Sequence, residues 1–186
     1  MEIFVVDTKK ILSRQDTTKI WQNVLEDILK SKFPKIVPVV KRDKMGKPFV
    51  ANIPGCYFSV SHSKRKIAVA VDVMPVGVDI EKVREVNLDI VHHFFSNYDI
   101  EKFCEIPAED KLDSFFDMWT KKESYVKCIG MGFSKMPFRS FTITNDGLMG
   151  DDCGRYSFST YDIVDGYKMS VCKTSDTDIR IYQSSF

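Results

Sequence analysis

The sequence predicts an α+β fold, because two amphipathic helices stand among strand-like runs that come in adjacent pairs rather than alternating with helices. The helices are residues 17–30, apolar at Ile20, Trp21, Val24, Leu25, Ile28 and Leu29, and residues 110–129, apolar at Leu112, Phe115, Phe116, Trp119 and Val126. The strand pairs are 57–61 with 67–73 and 156–161 with 167–173, and the second pair faintly echoes the first. The echo fits a duplicated α+β unit, and equally a chance likeness between two hairpins.

In chain order, residues 3–6 read as a strand, and Asp16 and Thr17 are the possible caps of the first helix. From 32 to 54 four prolines and the run Lys41-Arg42-Asp43-Lys44-Met45-Gly46-Lys47-Pro48 read as loop with room for one short strand. Residues 57–61, 67–73 and 76–80 read as a small antiparallel sheet, its first pair joined by Ser63-Lys64-Arg65-Lys66. Residues 88–95 carry apolar positions, a short helix covers 98–105 before Pro107, and Gly130 stops the long helix. Strands are expected at 138–144, 156–161, 167–173 and 179–182. If the echo reflects duplication, the halves meet between Pro75 and Glu85, which divides the chain into 1–75 and 76–186 with a ligand cleft between them.

The 186 residues carry 27 Lys+Arg and 26 Asp+Glu, a net charge of +1, so no overall field draws the chain to nucleic acid or an anionic membrane. Five cysteines, Cys56, Cys104, Cys128, Cys153 and Cys172, lack any Cys-x-x-Cys spacing and read as reduced thiols of a cytoplasmic protein. Asp7 interrupts the first apolar residues before a signal-peptide core forms, and Asp72, Pro75, Gly77 and Asp79 break the longest later apolar stretch, so no membrane segment is expected.

Three constellations bear on chemistry. In a strand, Asp79 and Glu81 face one side while Ile80 faces the core, an arrangement suited to magnesium; the same spacing describes a strand ending in two solvated acids. Gly77 adds a position where a ligand could approach the backbone closely. In Trp119-Thr120-Lys121-Lys122-Glu123-Ser124-Tyr125-Val126-Lys127, Glu123 and Lys127 share a helix face with Lys122 at its edge. That is either a solvated Glu–Lys pair or a carboxylate for metal or proton flanked by phosphate-binding ammonium groups. Ser59-Val60-Ser61-His62-Ser63 sets a histidine among hydroxyls, and the Gly46-Lys47-Pro48 turn aims one ammonium group; both are also ordinary loop chemistry. His92-His93 has no partner at zinc-ligand spacing.

Taken in order, Gly46-Lys47-Pro48, Phe58-Ser59-Val60-Ser61-His62-Ser63, Val76-Gly77-Val78-Asp79-Ile80-Glu81, Phe94-Phe95-Ser96 and the Trp119–Lys127 segment resemble the Sfp-type 4′-phosphopantetheinyl transferase family. Gly166-Tyr167-Lys168-Met169-Ser170-Val171 is a weaker later echo. The resemblance implies two similar α+β halves related by a pseudo-twofold axis, the active site in the cleft between them, and a monomer. It implies transfer of 4′-phosphopantetheine from coenzyme A to a serine of an apo acyl- or peptidyl-carrier protein, with magnesium, releasing adenosine 3′,5′-bisphosphate. It implies Asp79, Glu81 and Glu123 as metal ligands, Glu123, Lys122 and Asp99 as catalytic groups, and Lys47, His62, Lys122 and Lys127 on coenzyme A. Asp99 stands where the family usually has Glu, and Ser96-Asn97-Tyr98-Asp99 is also a helix capping box. Assigning Arg14, Lys19 or Arg42 to coenzyme A has no motif behind it, while Lys64-Arg65-Lys66 or Lys41-Arg42 are available to steer an acidic carrier. The rival functions are a non-catalytic coenzyme A or carrier binder and a metal-dependent phosphohydrolase.

Overall fold

The structure is a computed structural model that describes residues 1–132, 135–145, 147–151 and 154–185; Cys153 lies outside the described residues. Strand β1 (Glu2–Asp7) leads into helix α1 (Arg14–Lys32), which begins earlier than the sequence suggests because Ser13, not Asp16 or Thr17, is its cap and accepts the Asp16 N–H. The expected loop holds two short strands, β2 (Val40–Arg42) and β3 (Pro48–Val50), paired around Gly46 at φ 84°. Then come β4 (Tyr57–Ser63), β5 (Lys66–Asp72) and β6 (Val76–Lys82). Helices α2 (Ile90–Phe94), α3 (Asn97–Cys104) and α4 (Lys111–Ile129) follow, the last ended by Gly130 at φ 73°. The strand expected at 138–144 is a 3₁₀ turn (Phe138–Ser140) and the short β7 (Ile143–Thr144), which pairs with β8 (Gly147–Leu148). The chain closes with β9 (Ser157–Ile163), β10 (Tyr167–Lys173) and β11 (Arg180–Ser185).

The main sheets are β11-β1-β5-β4 and β6-β10-β9. Residues 57–80 therefore do not make one sheet: β4 and β5 pair antiparallel as expected, but β6 pairs with β10, Asp79 opposite Ser170. The last strand also departs from a division at residue 75, since β11 lies parallel to β1 with Ile3 opposite Ile181.

Alternation explains the layers. Ile3, Val5, Ala68 and Ala70 of the first sheet meet Val76, Val78, Ile80, Met169 and Val171 of the second in one buried cluster. The other face of the first sheet, with Val6, Val69 and Val71, takes Trp21, Leu25, Ile28 and Leu29 of α1. The far side of the second sheet is covered by an aromatic cluster that includes Phe95, Phe103, Phe115, Phe116, Tyr125 and Phe138. Helix, sheet, sheet and helix thus stack in four layers.

Gly77 sets how closely α4 approaches β6. A Cβ there would stand 1.9 Å from the Ser124 carbonyl oxygen and 2.5 Å from the Cys128 nitrogen. The close approach is thus made by a helix, not a ligand. Gly77→Ala is expected to destabilise the protein by at least about 2 kcal/mol, because neither contact is a side chain that can swing aside. Denaturant unfolding measures this, and an unchanged midpoint would disprove the close packing.

Candidate active site

β4 and β6 are edges of different sheets, and the odd-numbered serines of β4 join them. The Ser59 hydroxyl accepts the Val78 N–H at 3.1 Å, and the Ser61 hydroxyl donates to Asp79 Oδ1 at 2.7 Å. The Ser63 hydroxyl donates to Glu81 Oε2 at 2.7 Å and accepts the Lys82 N–H at 3.2 Å. Sequence reasoning singled out only His62 in this segment; the serine alternation on one strand face was the signal it passed over.

Asp79 is buried, 3% exposed, with Oδ1 taking both Ser61 and the Lys127 ammonium at 2.6 Å. Its other oxygen, Oδ2, is buried without a hydrogen-bond partner. Such an orphaned anionic atom is costly unless a cation meets it. Glu81, two residues along, has its carboxyl pushed up by burial and by Asp79, against the opposing Ser63 bond. Glu123 on α4 is pushed up to about 7, by burial first and then by Asp79 and Glu81, with Lys127 opposing. Lys127 pairs with Asp79 across the helix–strand contact instead of closing on Glu123 one turn earlier.

Asp79, Glu81, Glu123, Lys127 and His62 line one cavity of about 390 Å³ together with Trp119. Burial, then Lys127 and Arg14, hold the His62 imidazole below its ordinary value. A second cavity of about 310 Å³ shares Val60, Glu123 and Lys127 with the first and continues past Phe58, Pro48 and Met45. Among the described residues no trio of His, Cys, Asp or Glu side chains closes into a metal cage. The donor set nevertheless suits a hard cation: it is oxygen only, Asp79 adds to the raised proton affinity of Glu81 and Glu123, and Asp79 presents an unpartnered buried oxygen.

Three predicted residues go elsewhere. Lys47 donates to the Lys127 and Cys128 carbonyls, the latter at 3.2 Å, so its ammonium caps the end of α4. Burial holds it below the usual lysine range. Lys122 is 2% exposed and meets Asp99 Oδ2 at 2.7 Å and the Phe138 carbonyl at 3.0 Å, with the Phe141 ring centroid at 4.4 Å. It also donates to the Phe141 carbonyl. Asp99 completes the capping box with Ser96, accepting its N–H at 3.1 Å and its hydroxyl at 2.7 Å. Lys122 and Asp99 thus form one buried ion pair in the aromatic layer.

Residues 75–172, 98 of the 186, match the model of the 4′-phosphopantetheinyl transferase superfamily. The chain is 35% identical over 133 residues to the 4′-phosphopantetheinyl transferase Sfp of Bacillus subtilis, covering 68% of this chain and 59% of that protein. It is 36% identical over 133 residues to the 4′-phosphopantetheinyl transferase psf-1 of Bacillus pumilus, covering 68% and 57%. To the 4′-phosphopantetheinyl transferase gsp of Aneurinibacillus migulanus it is 31% identical over 137 residues, covering 71% and 56%. The chain thus spans less than two thirds of the length of these relatives. The family match includes both Asp79-Ile80-Glu81 and the α4 segment with Glu123 and Lys127, and on this ground the chain belongs to the 4′-phosphopantetheinyl transferase superfamily.

Proposed function

We propose that the protein transfers 4′-phosphopantetheine from coenzyme A to a serine hydroxyl of an apo acyl- or peptidyl-carrier protein, releasing adenosine 3′,5′-bisphosphate. The observation that carries this reading is the orphaned Asp79 Oδ2 beside two carboxyls of raised proton affinity and one ammonium group, on a chain of this family. Asp79, Glu81 and Glu123 would hold magnesium, which when bound offsets negative charge on a diphosphate. Lys127, 27% exposed at its side chain, adds a positive charge at the same mouth. His62, with Arg14 and Lys127 as charged neighbours, would take a further phosphate group in this reading. Glu123, at about 7, holds and releases a proton near neutrality and suits the task of accepting the serine proton.

In this reading residues 1–75 and 76–186 act as related halves around the two joined cavities, with β11 returned to the first. Free thiols at Cys56, Cys104, Cys128 and Cys172 suit a reducing, cytoplasmic setting. No helix among the described residues is long and apolar enough to cross a membrane.

Incubation with coenzyme A, magnesium and an apo carrier, read by intact mass, tests the reading: the carrier should gain phosphopantetheine. Asp79→Asn or excess chelator should reduce the rate by at least about 100-fold. Transfer at the full rate by Asp79→Asn would remove the metal assignment; hydrolysis of coenzyme A with an unmodified carrier would favour the phosphohydrolase.

A further inference from the structure

At the Ser63 end of β4 two segments clasp each other. Thr8, just after β1, bonds the Arg65 carbonyl through its N–H at 2.9 Å and its hydroxyl at 3.0 Å, and the Arg65 guanidinium returns to the Lys9 carbonyl at 3.3 Å. The cations here fall into two groups. Lys66 is buried on Asp7 at 2.8 Å and Asp165 at 3.3 Å, Arg65 reaches Asp165 at 3.6 Å, and Lys82 donates to the Asp165 carbonyl. Their charge is answered inside the molecule. Lys9, Lys10 and Lys64 are exposed, and among the described residues their ammonium groups have no ion pair or hydrogen bond. Two of them sit on left-handed backbone, Lys9 at φ 56° and Lys64 at φ 51°. Lys64 opens the two-residue turn between β4 and β5, a position where a positive φ favours glycine. A lysine at that tip adds backbone strain.

The site has a direction that gives this end a use. Along β4, Phe58 and Ser59 line the second cavity, Val60 both, Ser61 and His62 the first, and Ser63, bonded to Glu81, begins the turn. A nucleotide ligand lying in the joined cavities leaves the turn as the rim past which the second substrate approaches. Lys9, Lys10 and Lys64 line neither cavity, so they lie outside the space that a nucleotide ligand would fill.

We propose that Lys9, Lys10 and Lys64 form a docking rim for the acidic surface of the apo carrier protein. This rests on the transferase reading. Solvated ammonium groups steer an anionic partner into encounter and are screened by salt, so they act on carrier association and not on chemistry. Lys66 and Arg65, though adjacent in sequence, contribute little because internal carboxylates already neutralise them.

The test is steady-state transfer to an acidic apo acyl carrier protein, with KM measured separately for carrier and for coenzyme A, for the wild type and for Lys9→Glu/Lys10→Glu/Lys64→Gly. The triple variant should raise the carrier KM about tenfold at low salt and much less at high salt, with kcat and the coenzyme A KM unchanged. Lys64→Gly alone should melt at the same or a higher temperature, because glycine relieves the left-handed strain, and still raise the carrier KM. A wild type that transfers nothing defeats the function itself. A wild type that transfers, with a triple variant of unchanged carrier KM, defeats the docking rim alone, as does a rise in the coenzyme A KM in place of the carrier KM.

Discussion

Glu123→Gln is expected to eliminate phosphopantetheine transfer and, at the same time, to make the protein harder to unfold above pH 7. The two effects have one origin. Burial and the neighbouring Asp79 and Glu81 raise the Glu123 carboxyl from its ordinary 4.5 to about 7. A carboxyl that binds its proton more tightly when folded favours the native state below the unfolded value, and that advantage is lost as the pH rises from 4.5 through about 7. The displacement corresponds to at most about 3 kcal/mol. Glutamine keeps the shape without the charge, so the variant should show a shallower fall in stability between pH 5 and 8, while losing both a cation ligand and a proton acceptor. Urea unfolding of both proteins at several pH values, beside the mass assay, measures the pair of effects. Equal pH dependence in the two proteins would mean that the carboxyl is not strained in this way.

The second large effect is expected away from the acids. Asp99→Asn should cost about 3–5 kcal/mol, since it leaves the Lys122 ammonium buried among Phe95, Phe138 and Phe141 without its counter-charge. Asparagine can still accept the Ser96 N–H in the capping box, so loss of that box is not the cause. The double variant Asp99→Asn/Lys122→Met should recover much of that stability, because a flexible apolar side chain suits the aromatic layer. A cycle of single and double variants in denaturant gives the coupling energy. If the double variant is restored in stability and retains transfer, Lys122 holds α4 in place and touches no phosphate. If it is stable but inactive, the phosphate contact implied by the family resemblance stands.

The carboxylate site was legible because both of its parts are local patterns. Alternation alone puts Asp79 and Glu81 on one face of β6, and helical spacing puts Glu123 and Lys127 on one face of α4. What brings the two together is Gly77, whose missing side chain a single sequence reports only as a gap of unknown purpose. The buried pairing of Lys122 was not read although a clue was present: it falls on the same helical stripe as Phe115, Trp119 and Val126, where a charge must find a buried partner. Its partner is on another helix, at a separation that local pattern does not span. For the same reason the pairing of β6 with β10 was not readable, since residues 57–80 alternate as well for one sheet as for two. Lys47 illustrates the limit for side chains: a turn can aim an ammonium group, but that it ends on the α4 carbonyls depends on where the helix stops.

The parallel pairing of β1 with β11, with Phe4 stacked on Tyr182 at 4.8 Å, sets an order of events during synthesis. On a ribosome β1, β5 and β4 are all available early and can pair locally, yet one edge of β1 must wait for a strand made some 170 residues later. Throughout that interval the nascent chain presents an open row of backbone donors and acceptors beside an unstacked Phe4, the kind of edge that recruits other chains. A strand that emerges late is therefore the one that removes the aggregation hazard of one made early.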